Sequence, residues 1–303
     1  SGVHGCVSDL LVSRVGGRQF NRISRTQLRE AGLGADAIKH RVASGRLVIV
    51  EQGVFAVAPV LDHDPWGRWM AAVLTHPGSV LSHLCAAVAW ELLTKQGQSI
   101  TITRPGDGGP RRHGNLHVHR SGLLDGDVTS LNGIPITTVA RTLLDIAGVV
   151  SDRALARAVR EAVRLEQVTL HELVDAIGSH RGRRGVRLLG ETVARYSGLP
   201  LQRARSGAEV RALEVLRDAG RPLPRLNTRI AGEEADLSWR AWRLIVEIDG
   251  GPFHLDKGED ERKETAWRGA GWTVSRLSSE HVYERPQRLI ALAQPPNVPR
   301  GGA

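Results

Sequence analysis

The chain predicts a multidomain protein of the mixed α+β or α/β class, and three observations carry that expectation. Short apolar runs of strand period alternate with segments of helical period from one end to the other. Stretches rich in Gly and Arg separate blocks of different composition. A length of 303 residues corresponds to roughly two or three domains. The expected boundaries are residues 1–60, 61–196 and 206–293, with a basic linker at 197–205 and a disordered Pro- and Gly-rich tail at 294–303.

In the first block, Ile23-Ser24-Arg25-Thr26-Gln27-Leu28 has the form of a helix start. Ser24 caps, Gln27 closes the capping box, and Ile23 with Leu28 supplies the hydrophobic staple. That helix stops at Ala31-Gly32, and a second runs from about Ala35 to Ser44 with Ile38 and Val42 on one face. Arg46–Val50 and Val54–Ala58 read as a hairpin around Glu51-Gln52-Gly53. Helix, turn, helix and hairpin make a winged helix-turn-helix, whose second helix enters the major groove. Lys39, His40, Arg41 and Ser44 are the side chains it would present, with Arg46 at the base of the wing. The same module also serves elsewhere as a protein-interaction surface.

In the middle block, residues 79–93 read as an apolar helix after a Ser cap. Ile100–Thr103 and Leu116–His119 are strands flanking a loop rich in Gly and Arg, and Gly133–Ala147 passes from a strand into a helix. His117 and His119 share a strand face near His113, which suits a polar face or a metal site lacking carboxylate partners. Arg141 and Asp145 stand at i and i+4, the spacing of an internal salt bridge. Together with the preceding module, Leu81-Ser82-His83, Ala86-Ala87, Gly133-Ile134-Pro135 and Ala140-Arg141-Thr142-Leu143-Leu144-Asp145 resemble the AbiEi-type antitoxin family over roughly residues 20–190. The resemblance implies an α/β middle domain in a DNA-binding regulator of a type IV toxin–antitoxin pair, and leaves a partner toxin or homo-oligomer open. Residues 151–196 are helical in pattern, and residues 178–205 hold seven Arg and one Glu. Arg181, Arg183, Arg184 and Arg187 form an exposed basic connector, either a phosphate-backbone track or a solvated linker.

The last block is the most informative. Asp236 and Glu247 lie on two short apolar strands joined by Arg240-Ala241-Trp242, and Asp249 follows. Strand alternation puts Leu244, Val246 and Ile248 on one face and Ile245, Glu247 and Asp249 on the other. Carboxylates converging at one end of a sheet repel one another unless a hard cation joins them, and oxygen ligands suit Mg²⁺ or Mn²⁺. Solvated strand ends are the competing reading. A helix from Ser206 precedes these strands; a second, Asp260–Ala270, and a strand, Gly271–Leu277, follow. Ser206-x-x-Glu209, Asp236, Val246-Glu247-Ile248-Asp249-Gly250, Phe253-His254, Asp260-x-x-Lys263-Glu264 and Gly271-Trp272 resemble the Vsr-like branch of the PD-(D/E)XK nucleases. The resemblance implies a restriction-endonuclease-like αβββαβ domain with Mg²⁺ (or Mn²⁺) held by Glu209, Asp236, Glu247 and Asp249. Asp236, Glu247, Asp249, His254 and Lys263 are its candidate catalytic residues. Glu209 caps its helix or completes the metal site, and His254 acts on water or phosphate or is a turn histidine. The motif lysine is absent: Asp249 stands there, so Lys263, Arg262 or His254 must supply the cation. Cys6 and Cys85 alone cannot build the structural zinc site of Vsr enzymes.

A net charge of +9 with pI about 10.6 points to a polyanionic partner. The excess sits forward: residues 1–60 carry 8 basic and 4 acidic residues, and residues 206–303 carry 15 of each. No apolar run reaches the roughly eighteen residues of a membrane span, and no secretory signal or disulfide framework is visible, which predicts a cytoplasmic protein. The reading is a metal-dependent endonuclease acting on double-stranded DNA, with its own DNA-binding front end. The alternative is an antitoxin-like regulator with an inert nuclease fold. An RNA-directed nuclease is weaker, because no aromatic stacking face is visible.

Overall fold

The computed structural model describes residues 2–57, 64–94, 97, 99–108, 111–122, 125–249 and 257–294. It is mixed α/β, with three sheets among the described residues. The chain divides into two compact units, one of residues 1–159 and 171–191, the other of residues 160–170 and 192–303.

The first unit begins with α1 (Gly2–Gly17), β1 (Arg22–Ser24), α2 (Arg25–Glu30), α3 (Ala35–Ala43), β2 (Leu47–Glu51) and β3 (Val54–Val57). Ser24 Oγ accepts from the Gln27 N–H and Gln27 Oε1 from the Ser24 N–H, so the capping box closes at both ends. Gly53 turns the β2–β3 hairpin at φ 75°, a conformation that costs a glycine nothing. The hairpin joins β1 in an antiparallel sheet of order β1-β3-β2. Ile23, Leu28, Ile38, Leu47 and Phe55 fill its core, with Val12 of α1 packed among them.

The same unit continues with α4 (Pro65–Thr75), β4 (Val80–Leu81), α5 (His83–Ala89), β5 (Ile100–Arg104), β6 (Arg111–His113), β7 (Leu116–Arg120), β8 (Val128–Leu131), β9 (Ile134–Thr137) and α6 (Val139–Ile146). Its six strands form a mixed sheet of order β6-β7-β5-β4-β9-β8. Residues 79–93 are therefore a two-residue strand and a short helix rather than one apolar helix. Leu81 pairs with both Ile102 and Ile136, and that pairing removes it from the helix. Helices α7 (Asp152–Arg164), α8 (Leu170–Ser179) and α9 (Val186–Tyr196) follow.

The second unit holds α10 (Gly207–Asp218), β10 (Arg225–Ile230), β11 (Glu233–Trp239), β12 (Leu244–Asp249), α11 (Lys257–Gly269), β13 (Thr273–Ser278), α12 (Ser279–Glu284) and α13 (Gln287–Leu292). The sheet order is β10-β11-β12-β13; β12 and β13 are parallel, joined by the crossover that includes α11. Arg240–Trp242 make one 3₁₀ turn, and Arg243 completes the reversal in the left-handed region at φ 46°. Trp267 of α11 is fully buried against Ile230, Ala235, Ile245 and Val274, and its Nε1 donates to the Ile230 carbonyl at 3.1 Å. This apolar floor lies beneath the carboxylate end of β12.

Candidate active site

Parallel pairing sets Ile245 beside Val274, Glu247 beside Arg276 and Asp249 beside Ser278. Ile245 and Val274 are buried with Trp267, so Glu247, Asp249 and Arg276 continue the same face past the end of the apolar floor. At Asp236 the ladder changes character. β11 pairs through Leu237↔Val246 with β12, and through Leu226↔Leu237 and Thr228↔Ala235 with β10, but Asp236 is skipped on both sides. Its N–H instead donates to Glu247 Oε1 at 2.9 Å, and the Ile248 N–H donates to Asp236 Oδ2 at 2.8 Å. Each carboxylate thus binds the backbone of the other strand through one oxygen. The second oxygen of each has no hydrogen bond among the described residues.

Burial pushes the Glu247 carboxyl up to about 7; the neighbouring Asp236 adds to the rise, and the Asp236 N–H, Arg276 and Lys263 oppose it. Burial also raises Asp236, helped by Glu209 and Asp249 and opposed by the Ile248 N–H and Lys263. Five sequence-predicted groups, Glu209, Asp236, Glu247, Asp249 and Lys263, therefore lie within one electrostatic neighbourhood. Glu209 is buried on α10, where its Oε2 accepts from the Arg205 N–H at 2.9 Å and from Asn227 Nδ2 at 2.8 Å. Ser206 Oγ accepts from the Glu209 N–H at 3.1 Å. The capping spacing thus delivers half of a box, and the Glu209 carboxylate turns to Arg205 and Asn227. Asp249 pairs with Arg276 at 3.3 Å, and Lys263 with Glu259 at 3.3 Å. His254 lies outside the described residues.

Arg276 went unread in the sequence. Its guanidinium reaches Asp249, Asp260 at 3.1 Å and Glu264 at 3.6 Å, so it places a cation among the carboxylates. An arginine two residues after Val274, on the same face of a short strand, was the available signal. Asn227 offered none, since its role follows from a left-handed kink in β10 at φ 47°. An all-oxygen donor set with two carboxyls raised by burial and by neighbouring carboxylates fits a hard divalent cation. Among the described residues, however, no three acidic, His or Cys side chains converge as a preformed metal cage.

No family model matches this chain. Two similar proteins are uncharacterized proteins of Mycobacterium tuberculosis, from strains CDC 1551 / Oshkosh and ATCC 25618 / H37Rv. Each is 29% identical over 261 residues, spanning 83% of this chain and 92% of the relative. The catalytic domain of a homing endonuclease aligns with 28% of this chain and 89% of its own length, at 15% identity and a TM-score of 0.25. A likeness that slight adds nothing to the geometry above.

The expected DNA-facing residues divide. Lys39, His40, Ser44 and Arg46 are exposed on and after α3. Arg41 is not: its side chain is 14% exposed and pairs with Asp9 of α1 at 2.7 Å. In the expected connector, Arg181 and Arg184 are exposed, and Arg187 pairs with Glu191 at 2.6 Å. Arg183 turns inward to Ser121 at 2.8 Å and Asp145 at 3.4 Å, and His180 is buried. Much of the basic run is thus helix and packed turn, because Leu189, Thr192, Val193 and Tyr196 bury one side of α9. No described helix is long and apolar enough to cross a membrane.

Proposed function

We propose that this chain is a metal-dependent DNA endonuclease whose second unit performs phosphodiester hydrolysis and whose α2–α3 and hairpin segment, read as a winged helix-turn-helix, captures duplex DNA. The observation that carries this reading is the pair of carboxylates, Asp236 and Glu247. Each is fixed by a backbone N–H through one oxygen and, among the described residues, unbonded through the other. Asp236 and Glu247 would hold Mg²⁺ or Mn²⁺, with Asp249 and Glu209 as further donors. When bound, such an ion polarises the scissile phosphate and lowers the pKa of the attacking water. The chain's own contribution is positional. The backbone clamps orient the two carboxylates, Trp267 and Ile245 exclude water beneath them, and Arg276 and Lys263 offset negative charge at the phosphate where the motif lysine is missing.

Incubation of supercoiled plasmid with Mg²⁺ or Mn²⁺ tests the reading, with wild type and Glu247→Ala side by side and a gel shift in EDTA. Nicking that needs metal and disappears in the variant supports it; binding with no cleavage under either metal rejects it. One observation favours a second reading, a DNA-binding regulator on an inert nuclease fold. Arg276 sits against Asp249 as a resident counter-ion, in a site with no preformed cage among the described residues.

A further inference from the structure

A second polar cluster lies in the first unit, where α5, α6, β7 and the turn before α9 meet. Arg141 is fully buried, and its Nε donates to Asp145 Oδ1 at 2.8 Å while NH1 binds Asp127 and NH2 binds Ser121 Oγ at 3.1 Å. His180 Nε2 lies 3.1 Å from Asp127 Oδ2, and Arg183 reaches the same Asp145 oxygen, Oδ1. A closed network of this kind locks a fold, since every buried charge has a partner. This one is not closed. The Asp145 side chain is 1% exposed, yet its Oδ2 has no hydrogen-bond partner among the described residues. A buried acceptor left unmet is unfavourable, and a ligand donor would relieve it.

What faces that oxygen has the composition of a binding site. His83 Nδ1 stands 3.9 Å from Asp145 Oδ2 and makes its hydrogen bond to Ser82 Oγ at 3.0 Å. The His83 backbone is held at φ 52°, a left-handed conformation that a β-carbon resists. Its ring stacks on His119 with centroids 4.0 Å apart and planes at 25°. Burial lowers the His83 pKa to about 4 and also lowers that of His119, so both rings are neutral at pH 7 and offer donors and acceptors together. On the same strand face as His119, and like it partly buried, His117 pairs in register with the exposed Arg112. Arg183, 32% exposed, reaches Asp145 from the turn before α9.

The charges narrow the ligand. A bare cation meets Arg141 and Arg183; a bare anion meets Asp127 and Asp145. A group carrying a hydrogen-bond donor at one end and a phosphate at the other meets neither conflict. A base can also stack on an imidazole face, as bases do on His in single-stranded recognition. We propose that this cluster is a binding site for a nucleoside phosphate, with a hydroxyl or amino group donating to Asp145 Oδ2 beside His83, the base against His119, and the phosphate on Arg183 with the His117–Arg112 rim. The site is separate from the carboxylates of the second unit and does not depend on their activity.

Calorimetric titration of the full chain with the four ribonucleoside 5′-monophosphates tests it, with inorganic phosphate and a labelled single-stranded oligoribonucleotide in parallel. At least one nucleotide or the oligonucleotide binds, and Asp145→Asn and His119→Ala each weaken that binding by about tenfold or more. Glu247→Ala leaves it unchanged, and ligand addition moves the His83 and His119 ring signals in the NMR spectrum. Tighter binding of the mononucleotide identifies a small-molecule site; tighter binding of the oligonucleotide identifies an RNA site. Should Asp145→Asn fail to fold, His119→Ala decides, because that ring is only half-buried. The proposal is overturned if nothing binds at millimolar concentration, if inorganic phosphate binds as well as the nucleotides, or if His119→Ala binds like wild type.

Discussion

Glu247 stands at the junction of burial and repulsion, and its protonation gives the sharpest expectation at the level of single residues. Its carboxyl, ordinarily near 4.5, is pushed to about 7 in the folded chain. A raised carboxyl favours the folded state when protonated, so its stabilising effect is complete below the unfolded value and is lost as pH rises through the folded one. Glu247→Gln, which mimics the protonated form, is therefore expected to raise the melting temperature at pH 8, with the gain fading between pH 7 and 4.5. Thermal scans across that range without divalent metal check it, and an equal gain at every pH would remove titration as the cause. Mg²⁺ should stabilise wild type at pH 8 and leave Glu247→Gln unmoved. Asp236→Asn is expected to abolish plasmid cleavage while DNA affinity in EDTA stays nearly intact; retained cleavage would take Asp236 out of the site. These two carboxylates were legible because strand alternation and a ten-residue return are local properties. Arg276 was not, because its place opposite Glu247 depends on the register that the α11 crossover imposes.

Among elements, α11 is the one on which the site's geometry rests. Trp267 closes the floor under β12 and anchors β10 through the Ile230 carbonyl, so Trp267→Ala should cost about 3–5 kcal/mol in urea unfolding. A loss below about 1 kcal/mol would mean that the helix is held elsewhere. On and just after α3 the basic residues are not equivalent, since Arg41 is spent on Asp9 while Lys39 and Arg46 are exposed. Lys39→Ala with Arg46→Ala is expected to lower the salt dependence of DNA binding by about two in the log–log slope. An unchanged slope would move the contact away from this helix. Elements with caps and clear periods, α2 and β2–β3 among them, could be read from the sequence. Helices α1 and α4 lie outside the sequence expectations, although α4 opens at Asp64-Pro65 with Asp64 capping the Trp66 and Gly67 N–H groups, a local start signal. One helix over residues 79–93 is not what forms, because an apolar run cannot tell a buried strand from a buried helix, and here sheet pairing decides.

At the scale of the whole molecule, charge and chemistry are divided along the chain. Residues 206–303 carry equal numbers of acidic and basic residues, so the full excess of +9 belongs to residues 1–205. A carboxylate site in a neutral segment attracts a polyanion weakly, and under the proposed function the basic forward segment would compensate by raising the local concentration of DNA. That division predicts separable losses. Glu247→Ala should retain the wild-type gel shift and lose nicking under saturating DNA. Lys39→Ala with Arg46→Ala should lose affinity and recover nicking when DNA is raised above its weakened binding constant. Measuring nicking rate against DNA concentration for both variants discriminates, because a capture defect raises the concentration needed and a site defect lowers the ceiling. If the α3 variant lowers the ceiling as much as Glu247→Ala does, the forward segment takes part in cleavage itself, and the two roles are one.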